Sequence, residues 1–145
     1  MSDVLVDANV VLDARNQNAG RHEQALRIFR GIDRGELPRA RVVNYVMAEI
    51  LHPLQKRFRK GVAIETLDRL QESRGFDLVN VPQGVHADGE RLFRLHRGSD
   101  PPEWVDSLIA AYMLSEGLEF IYSFDDDFDT FDSITRLNTA DNPFQ

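Results

Sequence analysis

Short, β-branched-rich apolar runs alternate with helical stripes along this 145-residue chain, and that alternation restricts its fold more than any other feature. Strand-like runs occur at VLVD (residues 4–7), ARVVN (40–44), FDLVNV (76–81) and LEFIYSF (118–124), with a weaker one at ITRLN (134–138). In HEQALRIFRGI, Ala25, Leu26, Phe29 and Ile32 fall on one stripe at helical spacing. NYVMAEIL reads as a further helix, stopped or kinked by Pro53, and VAIETLDRLQES and HADGERLFRLH follow as amphipathic helices. Strands separated by helices predict an α/β fold, in which crossover helices cover both faces of a parallel sheet. No repeat, low-complexity linker or composition break divides the chain, so residues 1–145 are expected to form a single domain.

The clearest helix start is SDPPEWVDSLIAAYMLSEG. Asp100 is positioned to cap, a proline suits the first turn, and Glu103 completes a capping-box spacing. Gly117 is a natural stop.

Composition narrows the chemistry. With no cysteine, disulfides, thiolate zinc sites and cysteine nucleophiles are excluded. No apolar run approaches the roughly 20 residues that span a bilayer, and no signal-peptide pattern is present, which predicts a cytoplasmic protein without membrane contact. The formal net charge of −7 argues against passive binding of nucleic acid. The charge is unevenly distributed, however. SFDDDFDTFD concentrates acids, whereas QKRFRK is strongly basic.

Four carboxylates stand where carboxylates are costly. Asp7 is the lone charge in VLVDANVVL, Glu49 the lone charge in VVNYVMAEIL, and Asp106 interrupts WVDSLIAAYML in the second turn of its predicted helix. Asp125 follows FIYSF. Burying an unpaired carboxylate costs several kcal/mol unless it is hydrogen-bonded, paired or bound to metal. Each acid alone is readily explained as a cap or the partner of a distant arginine. Four with the same anomaly are not.

Asp7 and Asp125 follow strands, and Glu49 and Asp106 lie in early helical turns. In an open parallel sheet, ligands bind outside the carboxyl ends of the strands, where all four could meet. Converging carboxylates repel, which raises their pKa values or recruits cations. Oxygen donors without His or Cys select hard ions such as Mg²⁺ or Mn²⁺, and four carboxylates balance two divalent ions. Such ions support in-line phosphoryl displacement by water.

These residues resemble the PIN-domain ribonucleases, and especially VapC-like toxins of toxin–antitoxin pairs, in family order across essentially the whole chain. LVDANVVLD resembles the first motif, MAEIL the second, WVDSLIAAYM the third and SFDDDF the fourth. The resemblance implies a PIN-like three-layer fold, with a central parallel five-stranded sheet flanked by helices. It implies metal-dependent hydrolysis of RNA phosphodiesters, with Asp7, Glu49, Asp106 and Asp125 as metal ligands and catalytic residues. Asn9, Ser123 and Asp127 would support them. Ser123 stands where the family usually has Thr, and keeps the hydroxyl. The three consecutive aspartates 125 to 127 leave two further candidates beside Asp125, the favoured ligand. The resemblance also implies a homodimer and an antitoxin that blocks the acidic site.

Other features have plainer readings beside functional ones. Lys56, Arg57, Arg59 and Lys60 suit RNA backbone contact, with Phe58 available for stacking, although such a run also makes an ordinary solvated helix face. Arg91, Arg94 and Arg97 read as an exposed face. The four histidines form no ligand-spaced pair and read as surface or core, and Asp13 as the end of the first helix. The rows Phe29/Ile32 and Leu92/Leu95 read as core or dimer contacts, and Phe128 as packing under the site, with the acids after it solubilising.

Alternative functions are an RNA-maturation nuclease of the same fold and a catalytically silent binding module. The first is disfavoured by the short, cysteine-free chain, the second by the presence of every carboxylate. An aspartyl-phosphate receiver or phosphatase ranks last, because DANVV lacks a paired acid and both lysines precede residue 61.

Overall fold

A computed structural model describes residues 2–98 and 101–145. Five parallel strands form one sheet: β1 (Val4–Val6), β2 (Ala40–Val43), β3 (Phe76–Val79), β4 (Phe120–Tyr122) and β5 (Thr135–Leu137), in the order β3-β2-β1-β4-β5. The helices are α1 (Ala8–Ala14), α2 (His22–Asp33), α3 (Asn44–Arg57), α4 (Lys60–Glu72), α5 (Gln83–Leu95) and α6 (Trp104–Glu116), with a 3-10 helix at Asp126–Thr130. All five expected strands and the α/β class are present. The strands are shorter than the apolar runs because Asp7, Ser123 and Phe124 leave the sheet to build what lies beyond its edge.

The central strands are apolar on both faces, as burial under two helical layers requires. Val4, Leu5 and Val6 of β1 are buried, as are Ile121 and Tyr122 of β4. β1 pairs with β2 on one side and β4 on the other, so the winding direction reverses between β1 and β4. That reversal opens a crevice at the carboxyl ends of these two strands.

Two boundaries differ from the sequence reading. The third helix does not stop at Pro53 but continues to Arg57, with Ile50 and Leu54 buried on either side of the proline. Core packing of this face outweighs the one backbone bond to the Glu49 carbonyl that proline cannot make. The last long helix begins at Trp104, with Glu103 as its N-cap and Asp106 at the third position, so Asp106 lies in the first turn rather than the second. Asp100, expected to cap, lies outside the described residues. Gly117 ends the helix as expected, in the left-handed conformation at φ 68°.

Candidate active site

Asp7 follows β1 and caps α1, its Oδ1 accepting the Ala8 backbone N–H at 2.8 Å. Its Oδ2 accepts the Ser123 hydroxyl at 2.7 Å and the Asn9 amide at 3.3 Å. Ser123 stands just past β4, fully buried, and also accepts the Asp125 N–H at 3.0 Å. Asn9 closes the arrangement, its Oδ1 accepting the Phe124 N–H at 3.2 Å. A polar strap thus ties the ends of β1 and β4 together, and Asn9 and Ser123 hold Asp7 and Asp125 in register.

Glu49 enters from α3, half-buried, and Asp106 from α6, where its Oδ2 accepts the Glu103 backbone N–H at 3.2 Å. Asp7, Glu49, Asp106 and Asp125 line one cleft of about 570 Å³, together with Asn9, His52 and Glu103. All four anomalous acids therefore converge. Among the described residues, none of the four is ion-paired.

The three consecutive aspartates separate by geometry. Asp125 lines the cleft and caps the 3-10 helix through the Asp127 N–H at 2.9 Å, whereas Asp126 is exposed. Asp106, Asp125 and Asp127 each offer an oxygen within 4.8 Å of the others, close enough to share a cation.

Confinement shifts the titration of these groups. Burial, with smaller repulsion from Asp125 and Glu103, pushes the Asp7 carboxyl above its ordinary range, against the opposing hydrogen bonds from Ser123 and Ala8. Burial and the neighbouring charges of Asp7, Glu103 and Asp125 push Glu49 up to about 7. Asp106 is raised to about 8 by burial and by Asp125 and Asp7. Three acids with raised pKa values thus share one cleft, and among the described residues none of them is ion-paired.

Two cleft residues had other assignments from sequence. Glu103 was read only as a capping residue, yet it contributes a fifth carboxylate to the cleft. Its spacing of three before Asp106 was the available signal. His52 was read as surface or core. It is exposed, but it lines the cleft one helical turn after Glu49.

Other assignments resolve individually. The basic run is not one helix face, because α3 ends at Arg57 and α4 starts at Lys60. Lys56, Arg57, Arg59 and Lys60 are exposed, as is Phe58. Arg91, Arg94 and Arg97 are exposed, with Arg91 paired to Asp88. Phe29 and Ile32 are core, whereas Leu95 is 72% exposed. Phe128 is fully buried, as expected. Asp129 is not merely solubilising: Arg136 donates to both of its oxygens, at 3.0 and 3.1 Å. No helix among the described residues is long and apolar enough to cross a membrane.

The sheet has a doubly-wound α/β order, with acids gathered at its switch point. The sequence model of the PIN domain matches residues 4–134, and the chain belongs to the PIN domain family. No curated protein sequence matches it. Among solved structures it is similar to VapC20 of Mycobacterium tuberculosis, described as a sarcin-ricin loop cleaving toxin, with 22% identity and a TM-score of 0.75, covering 89% of this chain and 94% of that one. It is also similar to VapBC2 of Rickettsia felis bound to a promoter DNA fragment, with 14% identity, a TM-score of 0.68 and 95% and 99% coverage. FitAcB of Neisseria gonorrhoeae matches at 15% identity and a TM-score of 0.65, over 93% of this chain and 96% of that one.

Proposed function

We propose that this protein is a divalent-metal-dependent ribonuclease that hydrolyses RNA phosphodiester bonds as the toxin of a toxin–antitoxin pair. The observation that carries this reading is the convergence of Asp7, Glu49, Asp106 and Asp125 in one cleft, none of them ion-paired among the described residues. The donor set fits a hard divalent cation, Mg²⁺ or Mn²⁺: every candidate ligand is a carboxylate oxygen, and the raised pKa values mark charge awaiting compensation.

Asp7, Glu49, Asp106 and Asp125 are the residues that would hold the ion or ions, with Asp127 auxiliary. When bound, a divalent ion polarises a phosphoryl oxygen and makes water more acidic. The chain's own part is positioning. Ser123 and the Ala8 amide fix both oxygens of Asp7, the Glu103 amide fixes Asp106, and the Asp127 amide fixes Asp125. A protein nucleophile has no place in this scheme. Cysteine is absent, and the Ser123 hydroxyl is committed as donor to Asp7 and acceptor from Asp125.

RNA as substrate and an antitoxin as partner are supported by the likeness to a sarcin-ricin loop cleaving toxin and to toxin–antitoxin complexes. Lys56, Arg57, Arg59 and Lys60 would contact the RNA backbone beyond the end of α3. On this reading residues 1–145 act as one PIN-like domain, in the cytoplasm, as a homodimer.

The test is cleavage of end-labelled total cellular RNA in Mg²⁺ or Mn²⁺, beside an Asp7→Asn variant and a chelator control. Discrete fragments that need metal and vanish in the variant are expected. Absence of cleavage by the wild type, with metal binding unchanged in the variant, would overturn the reading and leave Asp7 a structural cap.

A further inference from the structure

We infer that Arg21 grips the RNA backbone at a phosphate beside the scissile one, on the β4 side of the acidic cleft; the inference rests on the ribonuclease reading above. Arg21 stands immediately before α2 and is exposed. Its guanidinium carbon lies 5.0 Å from the centre of the Phe124 ring, and its Nη1 donates to the Phe124 carbonyl at 3.4 Å. Phe124 immediately precedes the cleft-lining Asp125, and its own N–H is tied to Asn9. The cation is therefore anchored to the strap that holds the site together.

Its partners are the unusual part. Among the described residues Arg21 makes no ion pair, although it sits beside the densest acidic segment of the chain. Arg136, the other arginine on this segment, contacts the Ser123 carbonyl at 3.5 Å but is neutralised by two bonds to Asp129. Among the described residues the Arg21 guanidinium meets a ring and a carbonyl, both neutral, so its charge stays available for a phosphate. A planar guanidinium held in place by stacking loses little freedom on binding and matches the geometry of a phosphate.

The sheet order gives the direction of the strand. Glu49, His52 and Lys56 recur at helical spacing along α3, which follows β2, while Arg21 lies against the segment after β4. β1 lies between β2 and β4 in the sheet, and the cleft is lined by Glu49 and His52 of α3 and by Asp125 after β4. A single RNA strand crossing the carboxylates would thus meet basic groups at both ends, Lys56 on one side and Arg21 on the other. That placement offsets the repulsion a net charge of −7 imposes on a polyanion.

The experiment is steady-state cleavage of a fluorescein-labelled single-stranded RNA in Mn²⁺ over a series of KCl concentrations, for wild type, Arg21→Ala and Arg21→Lys. Mn²⁺ affinity is measured on the same proteins by electron paramagnetic resonance without RNA. For Arg21→Ala, KM is expected to rise about tenfold with kcat within about twofold. The slope of log(kcat/KM) against log salt should become shallower by about 0.7, the loss of one phosphate contact on a single strand. Arg21→Lys should keep the wild-type slope. Unchanged KM and slope in Arg21→Ala would overturn the inference, as would a fall in kcat together with Mn²⁺ affinity, which would make Arg21 a brace for Asp125. If the wild type shows no metal-dependent cleavage, the ribonuclease reading itself fails, and this one with it.

Discussion

The Ser123 hydroxyl reaches across 116 residues of sequence to donate a 2.7 Å hydrogen bond to Asp7. The bond joins the residues that leave two adjacent parallel strands, and it partly offsets the burial that raises the pKa of the Asp7 carboxyl. Ser123→Ala is expected to cost about 1–3 kcal/mol of stability, because it removes the shorter of the two hydrogen bonds to one oxygen of a buried carboxylate and leaves only the 3.3 Å bond from Asn9. Mn²⁺ affinity should fall with it. Ser123→Thr, which restores the hydroxyl, should recover both, as read by denaturant titration and metal titration.

Removing a charge from the cleft should separate stability from activity. Asp7→Asn relieves repulsion with Asp125 and Glu103 while leaving an oxygen able to accept from Ser123 or Ala8. The metal-free variant is expected to melt at or above the wild-type temperature, with metal-dependent RNA cleavage reduced at least about 10²-fold. A melt well below wild type would show that Asp7 serves mainly as the cap of α1.

The raised carboxyl pKa values fix the direction of a pH dependence. Glu49 at about 7 and Asp106 at about 8 bind protons more tightly folded than unfolded. Their stabilising contribution is therefore complete below about pH 4, where both states are protonated, and is lost as pH rises towards 8. Metal-free protein should lose stability between pH 5 and 8, as followed by urea midpoints. Saturating Mn²⁺ should reverse that trend, and Glu49→Gln should flatten it.

Lys56, Arg57, Arg59 and Lys60 form no ion pairs among the described residues, so they are separable from the fold. Replacing all four with glutamine should leave the melting temperature within about 2 °C of wild type. RNA affinity should fall and the salt dependence of binding should weaken. Unchanged binding would return this stretch to the role of a solvated surface.

Gly89 places α5 against α6. A Cβ there would lie 2.6 Å from Leu108 Cδ2 and 3.1 Å from Leu108 Cα, two residues beyond Asp106. Gly89→Ala should destabilise the protein by about 1–3 kcal/mol through overpacking. Because Asp106 rides on the displaced helix, Mn²⁺ affinity should fall as well, a coupling that calorimetric titration would detect.

What the sequence disclosed and what it concealed divide along physical lines. The strands and the four acids were legible because both are local violations of composition: a β-branched run between polar segments, or a single carboxylate within an apolar one. Glu103 was hidden because a cap and a cleft carboxylate look alike until the helix start is known, and the start lay at Trp104 rather than further upstream. Whether Pro53 stops α3 or only kinks it is not legible locally, because tertiary packing of Ile50 and Leu54 carries the helix past it. The stacking of Arg21 on Phe124 depends on a contact between segments far apart in sequence.

The placement of β1 between β2 and β4 also sets a timetable during synthesis. A ribosome delivers Asp7 and Glu49 early, but one edge of β1 stays unfilled until β4 at Phe120–Tyr122 arrives to bring in Ser123 and Asp125. Before that moment three of the four acids, Asp7, Glu49 and Asp106, have been made, but Asp125 and the clasp that orients Asp7 are missing. On the ribonuclease reading, the site is therefore completed only after most of the chain has been made.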